Sequence, residues 1–313
     1  MISVLSDKHF HDESAAYRWV EARVWPEGPV CPHCGGVERI SKMQGKSTRV
    51  GVYKCYQCRK PFTVKVGTIF ESSHVQIRLW LQAIFLISSS KKGISANQLH
   101  RTLGVTLKTA WFMGHRIREA MTGEKTPLGG KGKVVEVDET YFGDKEIIRK
   151  RTKLGKASHS SKRSVVSLVE RGGRARTFHI DRADASTVMA IMADNIRPSS
   201  EIHTDESGLY NNIKHGYDGH HTVMHTGKEY VRYEADRTVH TNTVEGYFSV
   251  FKRGMKGTYQ HCAEKHLHRY LAEFDFRYNN RTKLGVTDEA RADKMLKGVV
   301  GKRLTYQTTQ ERD

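Results

Sequence analysis

Three acidic residues, Asp138, Asp205 and Glu245, and four cysteines in two close pairs are the side chains of this sequence whose types and spacing could do chemistry. Asp138 follows the run Val134-Val135-Glu136-Val137, and Asp205 follows Ile202-His203-Thr204. A carboxylate at the end of an apolar strand is costly to bury unless a cation meets it. Period-two alternation sends Glu139 and Glu206 toward the faces opposite Asp138 and Asp205, so the two aspartates meet if their strands lie side by side. Glu245 falls in a stretch of helical period, Thr243 to Met255, where Phe248, Ser249 and Lys252 share its face. Clustered acids repel, and divalent magnesium or manganese, which take oxygen ligands, relieve that repulsion. Two such ions can activate an attacking oxygen and stabilise a leaving one, which is the chemistry of phosphoryl transfer. Taken singly, each acid is an ordinary strand-end or helix residue; the arrangement carries the inference.

The cysteines form Cys31-Pro32-His33-Cys34 and Cys55-Tyr56-Gln57-Cys58, twenty residues apart. In a reducing compartment this spacing suits two knuckles closing a tetrahedral four-thiolate zinc site, with Gly35-Gly36 supplying backbone freedom after the first pair. Such a site leaves no open coordination position, so the zinc is expected to be structural. An iron–sulfur cluster or a redox pair accounts less well for the pattern, and His33 is the alternative to one cysteine ligand. Cys262 stands apart as an inert thiol. Lys42, Lys46, Arg49, Lys54, Arg59, Lys60 and Lys65 surround the module, which suits contact with DNA or simply a solvated surface.

The elements that must position these groups follow from periodicity and breakers. Asp12 to Trp25 has helical spacing, stopped by Pro26, Gly28 and Pro29. Thr48 to Cys55 and Phe62 to Val66 are β-branched and aromatic runs inside the cysteine module. Ile77 to Ser89 is helical, Ser95 opens a second helix reaching Thr102, and Thr106 a third reaching Met121, with Gly104 between them. The last two have helix-turn-helix spacing: Leu99, Leu103, Val105, Ala110 and Ile117 as the small core, and Lys108, Thr109, Trp111 and His115 facing a DNA groove. An ordinary helical hairpin has the same pattern. Gly123 to Gly132 reads as a linker. Beyond it come strands at Lys133 to Val137, Ser164 to Glu170 and Arg174 to Ile180, a helix at Ala183 to Ile196, strands at Glu201 to Thr204 and His221 to Met224, and the helix bearing Glu245. Three strands, a helix, a strand and a helix form the order of the ribonuclease H-like fold, an α/β domain on a mixed five-stranded sheet. The expected organisation is a helical segment (1–26), zinc ribbon (27–70), helix-turn-helix region (71–122), linker (123–132), catalytic domain (133–285) and C-terminal tail (286–313).

Composition narrows the partner. Of 313 residues, 52 are Lys or Arg against 34 Asp or Glu, a net charge of +18 that gathers polyanions, so double-stranded DNA is expected. Arg149 to Arg163 holds seven Lys or Arg and no acid, a solvated loop by default and a DNA-gripping one if the rest holds. The most apolar stretch, Leu79 to Ile87, is too short to span a bilayer and the N-terminus has no secretory h-region, so a cytoplasmic, nucleoid-associated protein without a membrane partner is expected. His215 to His225 reads as a polar loop.

The combined motifs resemble those of DDE transposases of bacterial insertion sequences, in the subgroup with an N-terminal zinc ribbon. They are Gly28-Pro29-Val30-Cys31-Pro32-His33-Cys34-Gly35, Gly67-Thr68-Ile69-Phe70, Val137-Asp138-Glu139-Thr140-Tyr141, His203-Thr204-Asp205, the run Asn242 to Arg253, Tyr270 to Phe274, and Arg277-Tyr278-Asn279. The resemblance covers nearly the whole chain. It implies a ribonuclease H-like catalytic domain using Mg2+ or Mn2+, recognition of terminal inverted repeats, and DNA cleavage and strand transfer in recombination, with Asp138, Asp205 and Glu245 at the three acidic positions. Asn242 competes with Glu245 for the third. Lys252 matches a basic position that contacts DNA, and Arg253 and Lys256 beside it are expected on the phosphate backbone. Cleaving two ends in concert implies a homodimer or larger assembly on DNA. The rival readings are a non-enzymatic zinc-ribbon and helix-turn-helix regulator, and a nuclease that never joins strands.

Overall fold

The computed structural model describes residues 3–123, 126–144, 162–213 and 216–305. It divides into two compact units, Met1–Thr122 with Gly285–Asp313, and Gly123–Leu284. No helix among the described residues is long and apolar enough to cross a membrane.

In the first unit, α1 (Glu13–Val24) begins where Asp12 Oδ1 accepts the Ala15 N–H at 2.7 Å. The ribbon is a three-stranded antiparallel sheet, β1 (Ile40–Lys42), β2 (Tyr53–Cys55) and β3 (Pro61–Phe62), of which β1 was not expected. Helix α2 (Ile77–Ser89) follows, then α3 (Ala96–Leu103) and α4 (Leu107–Ala120). Ser95 Oγ and Thr106 Oγ1 cap α3 and α4 by accepting the Gln98 and Thr109 N–H groups, each at 3.1 Å. Gly104 makes the turn between them in the left-handed region, φ 66°. Leu99, Leu103, Ala110 and Ile117 are buried as expected of that pair's core, while Val105 is half-buried. The stretch read as a tail is not one. Thr287 caps a further helix, Asp288–Lys297, whose Met295 and Leu296 are buried and whose Arg291 donates to the Ser88 carbonyl of α2 at 3.0 Å.

The second unit is built on five strands in the order β6-β5-β4-β7-β8: β4 (Val134–Asp144), β5 (Lys162–Glu170), β6 (Ala175–Ile180), β7 (Glu201–Asp205) and β8 (Gly219–Val223). The first three pair antiparallel, whereas β7 joins β4 and β8 joins β7 in parallel. Helix α5 (Ala185–Asn195) covers one face, its Val188 and Met192 packing with Val135 and Val137 of β4 and Val166 and Leu168 of β5. Helices α6 (Asn242–Gly254) and α7 (Leu267–Asn279) cover the other, where Val244, Phe248, Phe251 and Phe274 pack with Val165 and Val169. The alternation of β5, Val165 and Val169 one way and Val166 and Leu168 the other, is what a strand buried on both faces needs. This is the ribonuclease H-like arrangement.

Three boundaries differ from expectation. β4 runs past Val137 to Asp144 because Thr140, Tyr141 and Phe142 continue the ladder with β5, so Asp138 lies inside the strand. The expected linker is partly structure: Leu128 is buried in the core with α5, and its N–H donates to the Asn195 carbonyl at 2.8 Å. A two-stranded hairpin, β9 (Val231–Tyr233) with β10 (Thr238–His240), precedes α6 and had no signal in such short runs. Most of the basic loop Arg149 to Arg163, and His215, lie outside the described residues.

Candidate functional site

The parallel pairing of β4 with β7 sets Val134 beside Glu201, Val135 beside Ile202 and Glu136 beside His203. That register, continued, takes Asp138 to Asp205, where β7 ends. Parity then assigns faces: Val135, Val137 and Ile202 enter the core with α5, leaving Glu136, Asp138, His203 and Asp205 on the side of α6. Glu245 stands in the first turn of α6, its Oε1 accepting the Thr241 hydroxyl at 2.8 Å.

The two aspartates sense the acids around them. Burial pushes Asp138 up to about 8, and the negative charges of Glu139, Asp205 and Glu245 push the same way. Asp205 is also raised, chiefly by burial and further by Glu206 and Glu245, although the Ser207 N–H donates to it at 3.0 Å and His225 opposes the rise. Two half-buried aspartates beside further acids want a cation, while Glu245 stands exposed at the edge of the set. The set is looser than a closed metal cage: among the described residues, only the four cysteines place all their ligand atoms within 4.8 Å of one another. The two acids set aside by alternation are engaged elsewhere. Glu139 Oε2 accepts the Tyr210 hydroxyl at 2.6 Å, and Glu206 accepts the N–H groups of His225 and Thr226 at 2.6 and 2.9 Å. Asn242, the competing third ligand, is exposed as the first residue of α6.

Further groups that the sequence did not single out converge here. Glu136, fully buried, accepts from Arg171 Nε at 2.7 Å and from the Thr243 and Val244 N–H groups at 2.8 and 2.9 Å. It shares the parity of Asp138, a signal that was available. Arg171 also donates to Nδ1 of His203 at 2.9 Å, which leaves the proton on Nε2, facing Glu201 at 3.1 Å. Burial, with Arg171 adding to it, lowers His203 to about 4, so it is neutral at ordinary pH. From the histidine-rich stretch, His225 Nε2 lies 3.5 Å from Glu245 Oε1; no spacing rule points to it.

In the ribbon, Cys31 and Cys58 sulfurs lie 3.6 Å apart and Cys34 and Cys55 3.7 Å. A tetrahedral zinc with bonds of about 2.3 Å holds its sulfurs about 3.8 Å apart, so the set fits that ion. The knuckles are local: the Gly35 N–H donates to the Cys31 carbonyl at 2.9 Å with Gly35 at φ 72°, and Arg59 follows Cys58 at φ 62°. His33 is exposed and outside the cluster.

Of the residues expected to touch DNA, Lys108 and Trp111 are exposed on α4 and Thr109 is half-buried, while Lys252, Arg253 and Lys256 are exposed at and just beyond the end of α6. His115 is a correction. It is 1 % exposed, four residues on from Trp111 with the rings 4.1 Å apart, because α4 is buried on every side from Met113 to Arg118.

Comparison with known proteins agrees with this anatomy. Residues 127–279 match the ISXO2-like transposase domain family, and residues 11–61 match the transposase zinc-ribbon domain family, which takes in α1 as well as the cysteines. An uncharacterized protein in transposable element ISH50 of Halobacterium salinarum is 26 % identical over 284 residues, covering 86 % of this chain and 92 % of the relative. The chain joins a zinc ribbon to a ribonuclease H-like domain, and it belongs to the DDE transposases of insertion sequences.

Proposed function

We propose that the protein binds the terminal inverted repeats of its element and catalyses metal-dependent cleavage and strand transfer, with Asp138, Asp205 and Glu245 as the catalytic acids. The supporting observation is their placement: two adjacent strands and one helix turn their acids to one face, and each aspartate is raised by burial and by Glu245 among the neighbouring acids. Mg2+ or Mn2+ bound there would supply the activation of the attacking oxygen and the stabilisation of the leaving one. Asp138, Asp205 and Glu245 would hold the ions, and Glu136 orders the helix that carries Glu245. Hydrolysis of a phosphodiester at the element's end frees a 3′-hydroxyl. That hydroxyl then attacks a phosphate of the target DNA, forming a new phosphodiester and releasing the target strand's 3′-oxygen, which takes up a proton.

The zinc ribbon and the α3–α4 pair would find the ends, with Lys108 and Thr109 on α4, and Lys252, Arg253 and Lys256 would hold the phosphate backbone. Acting on two ends implies at least a homodimer on DNA. The deciding experiment incubates the protein with Mg2+ and labelled end DNA. Cleavage followed by joining is expected. Binding without cleavage would make it a DNA-binding regulator, and cleavage without joining a nuclease. Asp205→Ala should abolish both steps while zinc content and end binding stay close to the parent's; retained cleavage would remove Asp205 from the site.

A further inference from the structure

The acid that best explains the placement of Glu245 is not one of the three. Glu136 lies two residues before Asp138 on β4, pointing to the same face, and is fully buried. Its oxygens accept the Thr243 and Val244 N–H groups at 2.8 and 2.9 Å and the Thr243 hydroxyl at 2.8 Å, so they seat on the open N-terminus of α6. Glu245 is the next residue of that helix. A carboxylate there meets unpaired backbone donors and the positive end of the helix dipole.

Arg171, just after β5, completes the joint. Its Nε donates to Glu136 at 2.7 Å, and its terminal nitrogens donate to the carbonyls of Thr238 and His240 at 2.8 Å each. The backbone leading into α6 and the first turn of α6 are therefore fixed to one carboxylate on the strand that bears Asp138. Glu136 already has its cation in Arg171, so its burial calls for no metal.

Apolar packing cannot set this distance alone. Val244, Tyr247, Phe248 and Phe251 hold α6 to the sheet, but such contacts are non-directional and let a helix slide by fractions of an ångström along its axis. Ligand oxygens about 2.1 Å from Mg2+ tolerate little of that. Three directional bonds from Glu136 to α6, with Arg171 behind them, fix the axial position.

We propose that Glu136, held by Arg171, is a positioning residue that sets the separation of Asp138 and Glu245 and hence the affinity of the catalytic site for its divalent ion. This rests on the assignment of those acids as metal ligands. The test uses the full zinc-loaded chain and Mn2+, followed by the electron spin resonance of the free ion. Glu136→Gln keeps the volume but turns an amide toward backbone donors. It should weaken Mn2+ binding about ten-fold, with circular dichroism, zinc content and end-DNA affinity unchanged. Half-saturation of cleavage by Mn2+ should rise by the same factor, while the rate at saturating Mn2+ returns to that of the parent; a purely structural role would not be rescued by metal. A folded Glu136→Gln protein that binds Mn2+ as tightly as the parent overturns the proposal. If that variant does not fold, Thr243→Val removes the hydroxyl donor alone and should cost about three-fold; an unchanged Mn2+ affinity there overturns it equally. A parent that binds no Mn2+ fails at the ligand assignment itself and takes this inference with it, an outcome distinct from a parent that binds and a variant that binds equally.

Discussion

At the scale of single residues, Asp138 shows what the site costs when no divalent ion is bound. An ordinary aspartate titrates near 4, and burial with three acidic neighbours pushes this one up to about 8. Between those values the folded protein keeps a proton that the unfolded chain has released. Stability contributed by that proton is fully present below the unfolded value and is lost as pH rises through the folded one. We expect the metal-free protein to melt at progressively lower temperature as pH is raised from about 5 to 8, and Mg2+ to flatten that slope by replacing the proton. Asp138→Asn, which cannot ionise, should stabilise the metal-free protein at pH 8 by on the order of 1–3 kcal/mol and remove the response to Mg2+. Calorimetric scans with and without Mg2+ read both effects, and a pH-independent melting temperature in the parent would contradict them.

At the scale of elements, two glycines with similar backbone angles predict different penalties. Gly104, at the turn between α3 and α4, has φ 66° and nothing within 4 Å of an added Cβ, so Gly104→Ala pays conformational strain alone, about 1–2 kcal/mol. Gly129, ahead of β4, has φ 75°, and a Cβ there would stand 2.1 Å from Ser200 Oγ. That hydroxyl also accepts the Gly130 N–H at 2.8 Å, so Gly129→Ala adds a clash to the strain and should cost more than about 3 kcal/mol. Urea unfolding of the two variants tests the order, and equal losses would refute it. The same elements mark how far the sequence could be read. Helices with a long period or a cap stood out, Ile77 to Ser89 by its period and the pair after Ser95 by its caps. Sheet strands stood out where β-branched residues ran together, and alternation chose Asp138 and Asp205 over their neighbours. What stayed hidden depended on partners distant in the chain. The extension of β4 exists because β5 continues beside it, and the seat of Glu136 because α6 begins there. His115 looked exposed by residue type and is buried, since the second half of its helix is covered on every side, Met113 to Arg118 included. His225 comes near Glu245 only through the folded path of the chain.

At the scale of the whole molecule, metal and charge make separable contributions. Each unit has its own core: Cys31, Cys55 and Phe62 pack around the ribbon, while both hydrophobic clusters of the sheet lie within Gly123–Leu284. Stripping zinc with a thiolate-competing chelator should therefore unfold the ribbon and weaken end recognition while the sheet unit keeps its melting transition; loss of both together would show that they fold as one. A net +18 should drive association with any duplex, by release of condensed counterions, and the logarithm of affinity should then fall with the logarithm of salt by about 0.9 per phosphate engaged. Lys252, Arg253 and Lys256 are exposed at and just past the end of the helix whose first turn carries Glu245. Replacing all three with alanine lowers the net charge from +18 to +15 (18 − 3). If they grip phosphates, the salt slope should become shallower by between about 1 and 3, and affinity for unrelated duplexes should fall as much as affinity for the element's ends. Titrations at several salt concentrations on both kinds of DNA measure this. A weaker but equally steep dependence would mean that these residues act without meeting the backbone, and a loss confined to end DNA would mean that they read sequence rather than charge.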